Sequence, residues 1–154
     1  MLTLALTLLL AAPPVASEGE YRPGGSAVAP VWTAFYAGDH EPDLPLPLVS
    51  AGKRMTVPIC QAVAHKDMRL RRYAISALGY LGDRRALATL QRILESGDEV
   101  YYFRGDALHA IYRIDKPLGK RLAGQYRSVD GYLTMLADAI AKDAPWLTEP
   151  LHEE

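Results

Sequence analysis

Residues 70–87 read LRRYAISALGYLGDRRAL. Within them Leu70, Ala74, Ala77, Leu78 and Leu81 recur at helical spacing, so one face of a helix over this stretch is apolar. The opposite face, with the residue just before it, carries Arg69, Arg72, Tyr73, Ser76 and Tyr80. Gly82-Asp83 then provides a residue that tolerates the left-handed conformation, followed by a side chain able to cap a new helix. One amphipathic helix stops and another begins almost at once, and neither can bury its apolar face alone. The stretch therefore predicts stacked helical hairpins.

Working outward, the pattern recurs. Adding 33 to the five apolar positions gives Phe103, Ala107, Ala110, Ile111 and Ile114, again all apolar, and the first residue of each set is followed by an arginine, Arg71 or Arg104. Helical periodicity reproduces the spacing, but it does not also place an arginine and two alanines at matching sites, so the segment is an internal duplication. The preceding helix follows suit, with Ile59 and Val63 matching Leu90 and Leu94 at an offset of 31. The difference is a longer turn in ESGDEVYY than in AHKDMR. Asp67 is expected to cap the second helix of the first unit, Ser96-Gly97-Asp98 to stop one helix and cap the next, and Gly82-Asp83 to do both jobs between units. Gly79 disfavours helix by about 1 kcal/mol against Ala, which implies a close backbone approach there. Arg71 and Arg104 sit beside core positions, so they are expected to pair with carboxylates or helix-end carbonyls of the neighbouring repeat rather than with a ligand.

Beyond Asp115, Pro117 suits a first helical turn, and Leu118, Leu122 and Tyr126 continue a helical face. Ser128 is expected to cap a last helix carrying Val129, Leu133, Leu136 and Ile140. This pair lacks the leading arginine and reads as a terminal cap. Residues 44–143 thus form the repeat domain, and 144–154, after LTEPLHEE, a loose acidic tail. Residues 18–43 form a linker and N-terminal cap segment: EGEYRPGGSAVAP reads as an extended arm, and VWTAFYAG as a short helix with Trp32, Phe35 and Tyr36 on one side. Prolines 42, 45 and 47 block a long helix, leaving Leu44, Leu46 and Leu48 to lie on the core. Residues 1–17 have an apolar run from Leu2 to Ala12, then small residues at Val15 and Ser17, as in a signal peptide cut after Ser17. Two prolines interrupt the run well short of the ~20 residues a membrane span needs, so removal rather than stable membrane insertion is expected, and the location is secreted or periplasmic.

The chain has 154 residues, 49% of them hydrophobic, which suits one modest core. Seventeen basic and eighteen acidic residues give a net charge of -1, which argues against a nucleic-acid partner. The single cysteine, Cys60, cannot close an internal disulfide and reads as a small core residue.

KDMRLRRYAISALGYLGDRRALATL resembles the HEAT-repeat superfamily, and within it the short repeats first recognised in phycobilisome lyases. The pattern is carried by Asp67, Leu70-Arg71, Ala74, Ala77, Leu78-Gly79 and Gly82-Asp83; in the second copy Ile111-Tyr112 replaces Leu-Gly and Asp115-Lys116-Pro117 replaces Gly-Asp. The resemblance implies an all-α fold, a short right-handed α-solenoid of stacked helical hairpins. It transfers no activity, since no catalytic motif matches. Metal-dependent HEAT-repeat hydroxylases use His-Glu pairs that open the second helices, where this chain has Arg71-Arg72 and Arg104-Gly105; its own pairs, His40-Glu41 and His152-Glu153, fall in a Pro-rich segment and the tail. No HExxH, CxxC, phosphate loop or GxSxG occurs, so neither a catalytic residue nor a metal or other cofactor is expected.

What remains is a surface. In HEAT stacks the second helices line the concave face. The expected partner-binding residues are therefore Arg69, Arg72, Tyr73, Ser76 and Tyr80 on one helix, with Asp106, His109 and Arg113 on the next. The expected partner is another protein, held by a non-catalytic scaffold. The alternative is a small enzyme or a cofactor-attachment chaperone using the same groove, and a third reading is a fragment completing a larger assembly.

Overall fold

The computed structural model describes residues 17–127 and 131–151. The signal-peptide residues 1–16, the expected cap Ser128 with Val129, and His152-Glu153 lie outside the described residues. Among the described residues all regular structure is helical: α1 (Ala29–Ala37), α2 (Leu46–Ser50), α3 (Thr56–Val63), α4 (Arg71–Leu81), α5 (Leu87–Glu95), α6 (Tyr101–Ile114), α7 (Lys116–Tyr126) and α8 (Gly131–Ala141). The fold is a short α-solenoid of three hairpins, α3–α4, α5–α6 and α7–α8. Its inner row runs α4, α6, α8, with each of α3, α5 and α7 packed on the inner helix of its own hairpin.

The duplication survives in three dimensions. A single 3-10 turn leads into the first helix of each of the first two hairpins, Lys53–Met55 before α3 and Arg84–Ala86 before α5, in the same register as Ile59 and Leu90. Ile59, Val63, Ala74, Ala77 and Leu78 are buried, as are Leu90, Leu94, Ala107, Ala110 and Ile111. The two inner helices touch where Gly79 lies: a Cβ added there would stand 2.8 Å from the Cα of Ala110. Gly82 closes α4 in the left-handed conformation (φ 62°), and the Asp83 carboxylate accepts from the Arg85 amide at 3.0 Å and from the buried Thr56 hydroxyl at 2.9 Å. Asp115 repeats that role, accepting from the Leu118 amide at 3.0 Å and from Arg84 at 2.7 Å.

The arginine pair is structural. Arg71 Nε donates to the Val63 carbonyl at the end of α3 (2.8 Å), while Nη1 and Nη2 reach Glu99 of the next unit at 2.9 and 2.8 Å. Arg104 Nε donates to the Leu94 carbonyl near the end of α5, again at 2.8 Å. Each guanidinium also lies over an aromatic ring, Phe103 for Arg71 and Tyr126 for Arg104.

Three expectations need correction. Asp67 caps no helix: Leu70 adopts a left-handed conformation (φ 58°), so α4 starts three residues further on, and Asp67 instead accepts from the Tyr21 hydroxyl at 2.8 Å. Ser96 ends α5 as expected, but Asp98 stands two residues before the start of α6 at Val100 and pairs with Ser96 and Lys66. The arm and tail, read as loose, are packed. Gly19 O accepts from the Arg69 amide, Tyr21 stacks on His65 at 3.7 Å, and Trp32 and Tyr36 of α1 donate to the carbonyls of Pro23 and Tyr21. At the other end a 3-10 turn, Pro145–Thr148, buries Leu147 fully. Polar composition misleads in both places, because backbone carbonyls find side-chain donors from the hairpins.

Candidate functional site

α4 and α6 run side by side with their non-core faces on one side of the sheet of inner helices, and α8 continues that face. Arg72, Tyr73, Ser76 and Tyr80 project from α4, four residues apart or nearly so, and Asp106 and His109 project from α6. Together they line a groove of about 480 Å³. Arg113, one turn beyond His109, lines an adjoining cavity of about 490 Å³ that shares Tyr80 and His109. Arg69 does not join them. It precedes the left-handed Leu70, and its guanidinium is turned to the arm, where it pairs with Glu20 and donates to the Tyr36 carbonyl at 2.6 Å.

The groove is cross-linked by its own polar groups. Arg72 Nε donates to Asp106 at 2.8 Å, and its Nη2 to the Tyr132 hydroxyl at 3.1 Å; that hydroxyl in turn donates to Asp106 at 2.7 Å. Burial pushes the Asp106 carboxyl above the ordinary aspartate range, against the pull of Tyr132 and Arg72. The Tyr132 phenol is pushed up to about 12 by burial and by the adjacent Asp106 charge. Tyr73 donates to Glu41 from the N-terminal cap segment, and burial and that carboxylate hold its phenol at about 12. The Arg113 guanidinium lies over the Tyr80 ring at 4.1 Å.

His109 is the imidazole at the centre. Its Nε2 stands 2.7 Å from the Leu147 carbonyl, which can only accept, so the proton sits on Nε2. Burial lowers its pKa, and nearby Arg113 lowers it further, so the ring is neutral at pH 7. Ser76, Asp106 and His109 also border a small cavity of about 20 Å³, room for one water. The site thus offers stacking faces, hydroxyls and oriented donors. His40 lies at the outer rim, 3.9 Å from Asp43, and among the described residues no three His, Cys, Asp or Glu side chains gather as a metal site would need.

The rims were not foreseen. One is formed by Glu41, Pro42 and Pro45, and the other by Tyr132 and Met135 of α8 with Trp146 and Leu151 of the C-terminal segment. Tyr132 and Met135 do carry a signal, since they lie three apart and beside the buried stripe of Leu133 and Leu136. Trp146 carries none, because nothing in a short Pro-flanked segment specifies where the chain folds back.

A stack of helical pairs with a groove along its inner helices defines an α-solenoid of the kind that holds other macromolecules on a continuous face. The HEAT-repeat profile matches residues 56–148, well over half of the chain. The chain therefore belongs to the HEAT-repeat family, whose members generally mediate protein–protein interactions. No curated protein and no solved structure matches it.

Proposed function

We propose that this protein is a non-catalytic scaffold or adaptor of the bacterial cell envelope, exported by its N-terminal segment, that holds another protein in the groove of α4, α6 and α8. The observation that carries the reading is the make-up of that groove. Tyr73, Tyr80 and Tyr132 and two arginines line it, and Met135 and Trp146 remain 47% and 42% exposed at its rim. Tyr, Trp and Arg are the residue types that anchor interfaces, and exposed apolar side chains beside a concavity mark a contact surface. Among the described residues no helix is long and apolar enough to cross a membrane.

The test compares two faces. A tagged chain should retain a partner from envelope extracts, Met135→Glu should lose it, and Val57→Glu, at an exposed site away from the groove, should keep it. Loss with both variants, or with neither, contradicts the assignment to the groove. For export, the mass of the purified chain should correspond to a start at Glu18. A full-length chain found in the cytosol removes the envelope part of the proposal.

A further inference from the structure

After α8 the chain reverses at Asp143 (φ 51°) and crosses the concave side as the Pro145–Thr148 turn. Glu149 then adopts φ −56° and ψ 137°, a polyproline II geometry that the following Pro150 enforces on it. Two α6 side chains take carbonyls of this segment: His109 Nε2 donates to Leu147 O at 2.7 Å, and Arg113 Nη2 donates to Glu149 O at 2.8 Å. The spacing has a physical reason. Four residues along an α-helix rise about 6 Å, and two residues along a polyproline II chain advance about 6.2 Å, so donors at positions 109 and 113 fit carbonyls two apart on an extended peptide.

The segment is held unevenly. Leu147 is fully buried and anchors it, whereas Thr148, Glu149 and Pro150 are exposed and Leu151 is half-buried at the groove wall. Among the described residues, Arg113 alone hydrogen-bonds from the helices to residues 148–151. Ahead of that segment the groove continues between the Tyr73 and Tyr80 rings and the Pro42–Pro45 rim. Aromatic-lined grooves of this kind suit polyproline II ligands, whose pyrrolidine rings pack on ring faces and whose preformed helix loses little entropy on binding.

We infer that the ligand of this groove is a short proline-containing peptide in the polyproline II conformation, and that residues 148–151, Thr-Glu-Pro-Leu, are an intramolecular stand-in which a partner's peptide displaces. The inference rests on the protein-binding reading above and names the kind of partner. A tethered segment competes at an effective concentration in the millimolar range, so the native chain masks its own site.

The probe is a fluorescein-labelled peptide with the sequence LTEPLHEE, titrated by anisotropy into the full chain. Leu151→Asp, which detaches the tail, should bind it at least tenfold more tightly than the native protein. Adding Arg113→Ala should reverse that gain, and a probe with Gly in place of Pro should bind at least fivefold more weakly. Pro150→Gly, which loosens the same segment away from the core, is a second detaching variant with the same expectation. Equal peptide affinity for native and detached chains of unchanged melting temperature overturns the inference, as does indifference to Arg113. If the peptide fails while envelope capture still depends on Met135, this inference falls and the adaptor reading stands. If capture fails while the peptide binds, the adaptor reading falls.

Discussion

Arg71 is a charge at 3% exposure, and its carboxylate partner Glu99 is almost as buried. Burial raises the Glu99 pKa, but Arg71 pulls it the other way and the net shift is downward, so both groups are ionised in the fold. Such a pair adds little net stability but is costly to split. Arg71→Met should destabilise by about 3–5 kcal/mol in urea unfolding, and Arg71→Met with Glu99→Leu by clearly less, because no unpaired buried charge is left. His109 gives a pH signature. Its folded pKa lies below the unfolded value of about 6.5, so between the two the unfolded chain holds a proton that the native chain does not. Stability is therefore complete above pH 7 and falls as pH drops through about 6.5, with a limiting slope of about 1.4 kcal/mol per pH unit. His109→Gln keeps a donor for the Leu147 carbonyl and should flatten that part of the profile, measured by urea midpoints from pH 7.5 to 5.

At the scale of elements, the hairpins were legible because their signal is redundant: helical period, paired alanines and arginine recur together. Helix starts were not, since each is settled by contacts from elsewhere in the chain. Leu70 turns left-handed where Gly19 takes the Arg69 amide, and that contact, absent from the second copy, is why α6 begins three residues earlier in register than α4. Gly79 shows the opposite case, a local oddity that pointed correctly to a packed backbone. Gly79→Ala should gain about 1 kcal/mol of helix propensity yet lower the melting temperature. The added methyl meets the Ala110 backbone rather than a movable side chain, and overpacking of this kind costs roughly 1–3 kcal/mol. A raised melting temperature would show that α4 and α6 can part without penalty.

At the scale of the molecule, seven of the eight chosen groove residues lie together because inner helices in a stack share one face, and Arg69 is the exception because it precedes α4. The arm stays attached through few contacts, of which the Tyr21 stack on His65 and its hydroxyl bond to Asp67 are the most specific. Tyr21→Ala should therefore speed proteolysis after Arg22 while lowering the melting temperature only modestly, and limited trypsin digestion reads the first directly. An arm that remains resistant would place its hold in Trp32 and Tyr36 instead.

His40, Pro42 and Asp43 border the same cavity as Trp146, Glu149 and Pro150, so segments from the two flanks of the repeats meet over the middle of the stack. Selectivity can consequently drift through changes in these flanks without disturbing the duplicated hairpins. It also means that any purification handle fused after Leu151 hangs at the mouth of the cleft, which makes the placement of such a handle a variable in every interaction measurement on this molecule.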